Sequence, residues 1–274
     1  MKEIIGIDVG GSTTKIVAFR SGRMLAPQVV RATDPLTSLY GAFGKFTSEN
    51  GLELDDIKKI IMTGVGSSFA DKPIYGLKCE KASEFECVGR GGLYLSKLDE
   101  AIVISMGTGT AIVHAKNEND NISTSYLGGT GVGGGTLVGL SKKMLGMESI
   151  NHIQELAESG SLDNVDLKIS DISSEGSLSL SNNMTASNFG KLSDIASGGD
   201  IALGIINMIF ETAGMLGIFA ARYANVRDIV LTGNLTRISQ AKHIFSELNK
   251  IFDVNFIIPE NSQYATAIGA ALAK

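Results

Sequence analysis

The chain writes the same short plan twice: an apolar run, a glycine turn, and a second apolar run. Residues 4–8 (IIGID) lead through VGGST into TKIVAF (14–19), and residues 101–105 (AIVIS) lead through MGTGT into AIVHA (111–115). Short apolar runs bounded by glycine clusters read as strands joined by tight turns, so the repetition predicts a duplicated unit. Because a strand follows each turn, the pattern argues against both the dinucleotide-binding fingerprint and the lysine-bearing P-loop, which need a helix at that point.

Between the two openings the pattern predicts a helix around 36–50, a buried strand at 58–64 and a helix from about Glu84 to Leu98. The second half adds a strand near 122–127, a helix after a long glycine run, a helix at 148–159, a long apolar helix at 201–224 and a strand at 229–233. A helix at 236–250, a strand at 254–258 and a helix at 262–273 follow. Alternating strands and helices give an α/β class with mixed sheets. The serine- and asparagine-rich stretch 160–183 reads either as a loop excursion with a short strand or as a mobile flap.

With 274 residues, 43% of them apolar, the chain has enough material for a real core. A net charge of −5 without long runs of one sign gives no footprint for nucleic acid or an anionic membrane. The two cysteines, Cys79 and Cys87, match neither a disulfide framework nor a zinc pattern, and the first residues lack a signal-peptide plan, so a cytoplasmic protein is expected. His114, His152 and His243 are isolated and make no metal pair. The helix at 201–224 approaches a membrane span in composition, but Glu211 in its middle argues for a buried helix. Its glycines at 204, 214 and 217 suit close approach of another backbone, and its nearly all-round apolar character suits a homodimer contact.

The turns share a chemical logic. Asp8-Val-Gly-Gly-Ser12-Thr-Thr-Lys15 sets a carboxylate at a strand end, where it can hold a hydrated magnesium, and follows it with N–H groups and hydroxyls suited to phosphate oxygens. Lys15 either adds a positive charge there or is a solvated side chain. Gly107-Thr108-Gly109-Thr110 would clamp the same phosphates from the opposite side. Either turn alone also serves as an ordinary tight hairpin. Seven glycines fall within YLGGTGVGGGTLVGL (126–140), a density that needs a compensating role such as backbone approach to a ligand.

Five motifs, IDVGGSTTK (7–15), SEFECVGRGGL (83–93), MGTGT (106–110), GGTGVGGGTLVGL (128–140) and MTASNFG (184–190), together with LTGN (231–234), resemble those of type II pantothenate kinases. That family sits in the actin, hexokinase and heat-shock ATPase superfamily. The resemblance implies two actin-like (ribonuclease H-like) lobes, 1–98 with the C-terminal helix 262–274 and 99–261, around a nucleotide cleft. It implies ATP and Mg²⁺ as cofactors, pantothenate as the small-molecule substrate, and transfer to its primary hydroxyl to give 4'-phosphopantothenate, the first step of coenzyme A biosynthesis. Nucleotide contacts are then expected from Asp8, Val9, Gly10, Gly11, Ser12, Thr13, Thr14, Lys15, Thr108, Gly134, Gly135, Thr136, Leu137, Val138, Ile150 and Asn234. The metal would be held by Asp8 through water. Residues 133–138 would open a helix whose exposed N–H groups face the nucleotide. Glu84 matches the catalytic glutamate, the base that orients the acceptor hydroxyl.

One departure stands out. The family places an arginine two residues before the first glycine pair of the long run, near the acceptor and the transferred phosphate, and this chain has Tyr126 there. A tyrosine offers one hydrogen bond where a guanidinium offers a bidentate charge. Arg90, six residues after Glu84, is a second acceptor-site candidate, although it lies about 240° round a helix from Glu84. Two other readings share the phosphate turns. A sugar or amino-sugar kinase usually presents an aspartate as base. An ATP-driven activator of radical dehydratases holds an iron–sulfur cluster between subunits through cysteines, and here the cysteines precede the second phosphate turn.

Overall fold

In the computed structural model, which describes residues 2–31, 34–69, 72–119, 121–173, 182 and 184–273, two mixed sheets follow one plan. The first contains β1 (Glu3–Val9), β2 (Thr13–Arg20), β3 (Arg23–Met24), β4 (Gln28–Arg31), β5 (Ile57–Thr63) and β6 (Cys79–Lys81). Its order is β3-β2-β1-β5-β6, with β4 also pairing β2. The second contains β7 (Glu100–Met106), β8 (Thr110–Glu118) and β9 (Asn121–Thr130). After a small antiparallel ladder of β10 (Leu167–Lys168) and β11 (Thr185–Ser187), it is completed by β12 (Asp228–Thr232) and β13 (Asn255–Ile257), in the order β13-β12-β7-β8-β9. From the hairpin edge inward, both sheets pair antiparallel, antiparallel, parallel, parallel. The architecture is α/β, as the alternation of elements predicts.

Period-two burial tells each strand which helices it meets. In β1, Ile5, Ile7 and Val9 join the core under α1 (Pro35–Glu49), where Phe43 and Phe46 are fully buried, while Gly6 turns to the opposite face. Burying such a phenylalanine contributes about 1.5–3 kcal/mol. α1 starts where it does because Asp34 caps it, accepting from Thr37 N–H at 2.6 Å, and Pro35 follows with its φ preset. In β7, Ala101 and Val103 pack against α2 (Glu84–Ser96), whereas Ile102, Ile104 and Met106 face the large second core.

That core is formed with α3 (Gly134–Leu145), α4 (Ile150–Ala157), α6 (Gly198–Ala224) and α7 (Gln240–Ile251); the short α5 (Ile169–Ile172) lies beside β10. The predicted helix at 236–250 starts later because residues Asn234–Arg237 form a 3₁₀ turn first. The predicted C-terminal helix likewise opens with a 3₁₀ turn, Ser262–Tyr264, before α8 (Ala265–Ala271). Within the stretch 160–183, residues 174–181 and 183, where most of the flap alternative falls, lie outside the described residues; the rest holds a 3₁₀ turn, β10 and α5.

α6 is long and apolar enough, by length and composition, to cross a membrane, yet 61% of its most apolar stretch is buried inside this chain. Glu211 accepts hydrogen bonds from Thr185 Oγ1 and Asn188 Nδ2, both at 2.8 Å, so the MTASNFG segment clamps the helix at its one central charge. The glycines at 204, 214 and 217 do not receive a neighbouring backbone: Gly204 faces the side chains of Val165 and Phe189, Gly214 that of Leu248, and Gly217 that of Ile104. Phe219 and Tyr223 remain exposed near its end.

α8 and α2 cross between the two sheets. A Cβ on Gly91 would lie 1.8 Å from the Ala265 carbonyl oxygen, and one on Gly269 would lie 1.9 Å from that of Cys87, so the two backbones touch. α8 covers β1 at Gly6, while α2 reaches the second sheet through Gly89 and Gly92.

Candidate active site

The first turn closes with Gly10 N–H donating to the Thr13 carbonyl at 3.0 Å. Strand register then sets a row across the sheet: Asp8 stands opposite Lys15 on β2 and Thr63 on β5. Lys15 Nζ lies 3.5 Å from Asp8 Oδ2, with less than a tenth of either side chain exposed. Lys15 is therefore no solvated surface lysine. Burial pushes the Asp8 carboxyl above its ordinary value, with Lys15 pulling the other way.

Over this row stands the first turn of α2. Ser83 is extended and Glu84 and Glu86 fall in the first turn, where the helix dipole favours carboxylates. Glu84 is half-buried; burial raises its pKa first, the neighbouring Asp8 second, and Lys15 opposes both. One turn further on, Cys87 is buried with its thiol against the Thr63 hydroxyl, and burial pushes that thiol up to about 11. Thr63 Oγ1 has no oxygen or nitrogen partner although Thr63 is fully buried. Gly64 lies so close to Asp8 that a Cβ would come 2.7 Å from Oδ1. Thr63, Gly64 and Cys87 escape the sequence reading, and their one signal is the threonine–glycine pair closing the strand at 58–64.

The second turn faces the first: a Cβ on Gly11 would lie 3.7 Å from Thr108 Oγ1. Here the structure departs from the expectation of a free helix terminus. Gly134 N–H donates to the Gly107 carbonyl at 2.9 Å and Gly135 N–H to the Thr108 carbonyl at 2.8 Å, so two of the first N–H groups of α3 are bound within the chain. Gly133 permits this docking, since a Cβ there would meet the Thr108 carbonyl oxygen at 2.7 Å. Thr136 Oγ1 accepts from Gly133 N–H at 3.2 Å and donates to the Gly131 carbonyl at 3.1 Å. The glycine density thus serves the fit of turn to helix.

The third motif reaches across to the first: Asn234 Nδ2 donates to Thr13 Oγ1 at 3.2 Å. Gly10, Gly11 and Ser12 line the outside of the first turn, the latter two exposed. Val9 and Leu137 point into cores, and Thr14 is fully buried, so these three offer a ligand only backbone. Val138 and Ile150 are half-buried, Ile150 against the second core. Tyr126 is half exposed and stacked on Phe85. Arg90 faces away from Glu84, lining a cleft of about 290 Å³ with Glu80, Glu86 and Asn121. The charges that bear on Glu84 are those of Asp8 and Lys15.

Among the described residues no cluster of three or more His, Cys, Asp or Glu side chains forms a metal cage. A single buried carboxylate beside an unpartnered threonine hydroxyl fits a hard cation bound largely through water and phosphate, as magnesium is.

The sequence model of the Fumble family matches residues 97–273. A type II pantothenate kinase of Bacillus cereus (strain G9842) is 31% identical, over 99% of this chain and 98% of that one. The chain belongs to the Fumble family of type II pantothenate kinases. A more distant member, from Oceanobacillus iheyensis, is 27% identical over 98% of both chains. Among solved structures, component A of the Acidaminococcus fermentans (R)-2-hydroxyglutaryl-CoA dehydratase superposes with a TM-score of 0.70 at 18% identity, covering 99% of this chain and 97% of that one. A ROK family glucokinase from Streptomyces griseus, solved with glucose and AMPPNP, gives 0.61 at 12% identity over 98% of both chains. At such identities these two likenesses speak for the fold, that of the actin- and hexokinase-like ATPases.

Proposed function

We propose that the protein is an ATP-dependent kinase that phosphorylates the primary hydroxyl of pantothenate to 4'-phosphopantothenate, the first step of coenzyme A biosynthesis. The observation that carries the reading is Glu84 at the mouth of the Lys15–Asp8–Thr63 row, held above its ordinary pKa by burial. A carboxylate shifted toward neutrality both takes and releases a proton readily, which suits the base that receives the acceptor's hydroxyl proton. The turn Asp8–Lys15, Thr108, the start of α3 and Asn234 hold the nucleotide, with backbone groups carrying the contacts at Val9, Thr14 and Leu137. Mg²⁺ would lie at Asp8 through water, where it offsets charge on the leaving phosphate. Residues 1–98 with the C-terminal helix form one lobe and 99–261 the other, and closure between them excludes water from the transferred group.

The protein is read as a cytoplasmic homodimer joined through α6, whose exposed Phe219 and Tyr223 need a cover. A sugar kinase is disfavoured by a glutamate where those enzymes present aspartate. An iron–sulfur activator is disfavoured because Cys87 is buried on the inner face of α2 and cannot reach a second subunit. The test is phosphate transfer from labelled ATP with magnesium to pantothenate, glucose, N-acetylglucosamine or no acceptor. Pantothenate alone is expected to be phosphorylated, and Glu84→Gln is expected to lower kcat by about 10²–10⁴. Transfer to a sugar in preference to pantothenate would overturn the reading.

A further inference from the structure

We propose that the Phe85–Tyr126 stack is a wall of the acceptor site and selects acceptors with a branched, uncharged carbon beside the reacting hydroxyl. The inference rests on the pantothenate reading and adds what in this chain reads that molecule.

Phe85 directly follows Glu84 in the first turn of α2, so its ring leaves the helix one residue and about 100° on from the base, toward the second sheet. Tyr126 lies on it with ring centroids 4.0 Å apart and planes 15° from parallel. From there the tyrosine ring runs along β9, because a Cβ on Gly129 would come 3.2 Å from its hydroxyl. Gly129 itself abuts the Thr110 carbonyl, just past the second phosphate turn. The stack therefore extends from the base toward the phosphate end of the cleft. Half of Tyr126 remains exposed, and among the described residues its hydroxyl makes no hydrogen bond. One ring face is buried against Phe85 and the other is open, which makes a fixed apolar surface that loses little freedom when a ligand covers it.

Such a surface rewards methyl groups and gives nothing back to a hydroxyl stripped of its water. In pantothenate the carbon next to the reacting CH₂OH carries two methyl groups, whereas in a hexose the corresponding carbon carries ring oxygen. Covering two methyls at about 0.8 kcal/mol each corresponds to roughly tenfold discrimination. Among the described residues the one cation that bears on Glu84, Lys15, is already held by Asp8, so shape and apolarity rather than charge distinguish acceptors at this wall.

The experiment compares the unaltered protein with Tyr126→Phe, Tyr126→Ala, Tyr126→Arg and Phe85→Leu, using pantothenate and the analogue that lacks both methyl groups. KM and kcat/KM are measured for each acceptor, and KM for ATP. The unaltered protein is expected to prefer pantothenate over the analogue by roughly tenfold in kcat/KM, and Tyr126→Phe to keep that preference. Tyr126→Ala, Tyr126→Arg and Phe85→Leu should each lose most of it, with KM for ATP changing less than about twofold. A preference that survives Tyr126→Ala overturns the proposal, as does Tyr126→Arg outperforming the unaltered protein on pantothenate. Equal rises in KM for ATP and acceptor would reduce the stack to a structural prop and overturn it too. If the unaltered protein does not phosphorylate pantothenate, the functional reading falls and the wall with it; if it does and the preference is unmoved, the wall falls alone.

Discussion

The β1–β2 and β7–β8 hairpins occupy the same place in their sheets, and the residues flanking them correspond one for one. Asp8 sits between Lys15 and Thr63 on its neighbouring strands, and Ser105 sits between Ala111 and Thr232 on its own. Each threonine is followed by a glycine with positive φ, Gly64 at +86° and Gly233 at +91°, pressed against the carbonyl of Val9 or Met106. The duplication reaches into the site, but the chemistry does not. One row is Lys–Asp–Thr and the other Ala–Ser–Thr. Thr232 Oγ1 donates to the Ile104 carbonyl at 3.0 Å, while its counterpart Thr63 has only the Cys87 thiol against its hydroxyl and no oxygen or nitrogen partner. A scaffold built twice lets one copy carry a buried charged pair while the other, through Gly107 and Thr108, holds a helix in place.

The sharpest way to break that contrast is to neutralise the charged row. Asp8→Asn is expected to lower kcat by roughly 10³, the cost of losing a metal-supporting charge, and to leave Lys15 buried without its partner. Steady-state kinetics at saturating magnesium would check it, and a fall of less than tenfold would mean that the charged row is not the reacting half. In the neutral half, Gly133→Ala forces the start of α3 off the Thr108 carbonyl and is expected to raise KM for ATP by about tenfold, with a smaller change in kcat. The paired threonines give a finer test. Thr232→Val loses a buried hydrogen bond and should lower stability by about 1 kcal/mol, whereas Thr63→Val should cost less, because the hydroxyl there meets only a thiol, a weak partner. Denaturant titration of both variants decides it, and equal losses would remove the distinction between the two rows.

The smallest effect concerns the second half alone. Asp200 accepts from the N–H groups of Ser161 and Ser197, which hold its pKa down at about 2. A carboxylate depressed in the folded state stabilises fully above its unfolded value near 3.8 and loses that contribution as pH falls toward 2. Asp200→Asn should therefore flatten the acid limb of a thermal melting series between about pH 4 and pH 2.

Much of this was legible from local pattern. Apolar runs of period two with glycine between them gave both hairpins, and the Asp8–Lys15 facing pair follows from a three-residue turn between matched strands. What pattern could not supply was long-range pairing. Nothing local tells β12 to insert between β7 and β13, or Cys87 to meet Thr63. The glycines of 133–135 looked like a ligand cradle because their own partners, the carbonyls of Gly107 and Thr108, lie elsewhere in the sequence. Gly91 and Gly269 likewise find their reason only in the backbone of the helix opposite each.

The crossing of α2 by α8 has a bearing on synthesis. β1 is made before α8, but the face of Gly6 is covered by Ala267 and Ala271, and the backbone of α2 beside Glu84 rests on Ala265 and Gly269. The first sheet cannot be sealed, nor the base fixed over Asp8, until residues 265–271 have been made. Until then the nascent chain carries an open sheet face, a state in which chaperone protection matters most and a chain stopped before α8 leaves no partial enzyme.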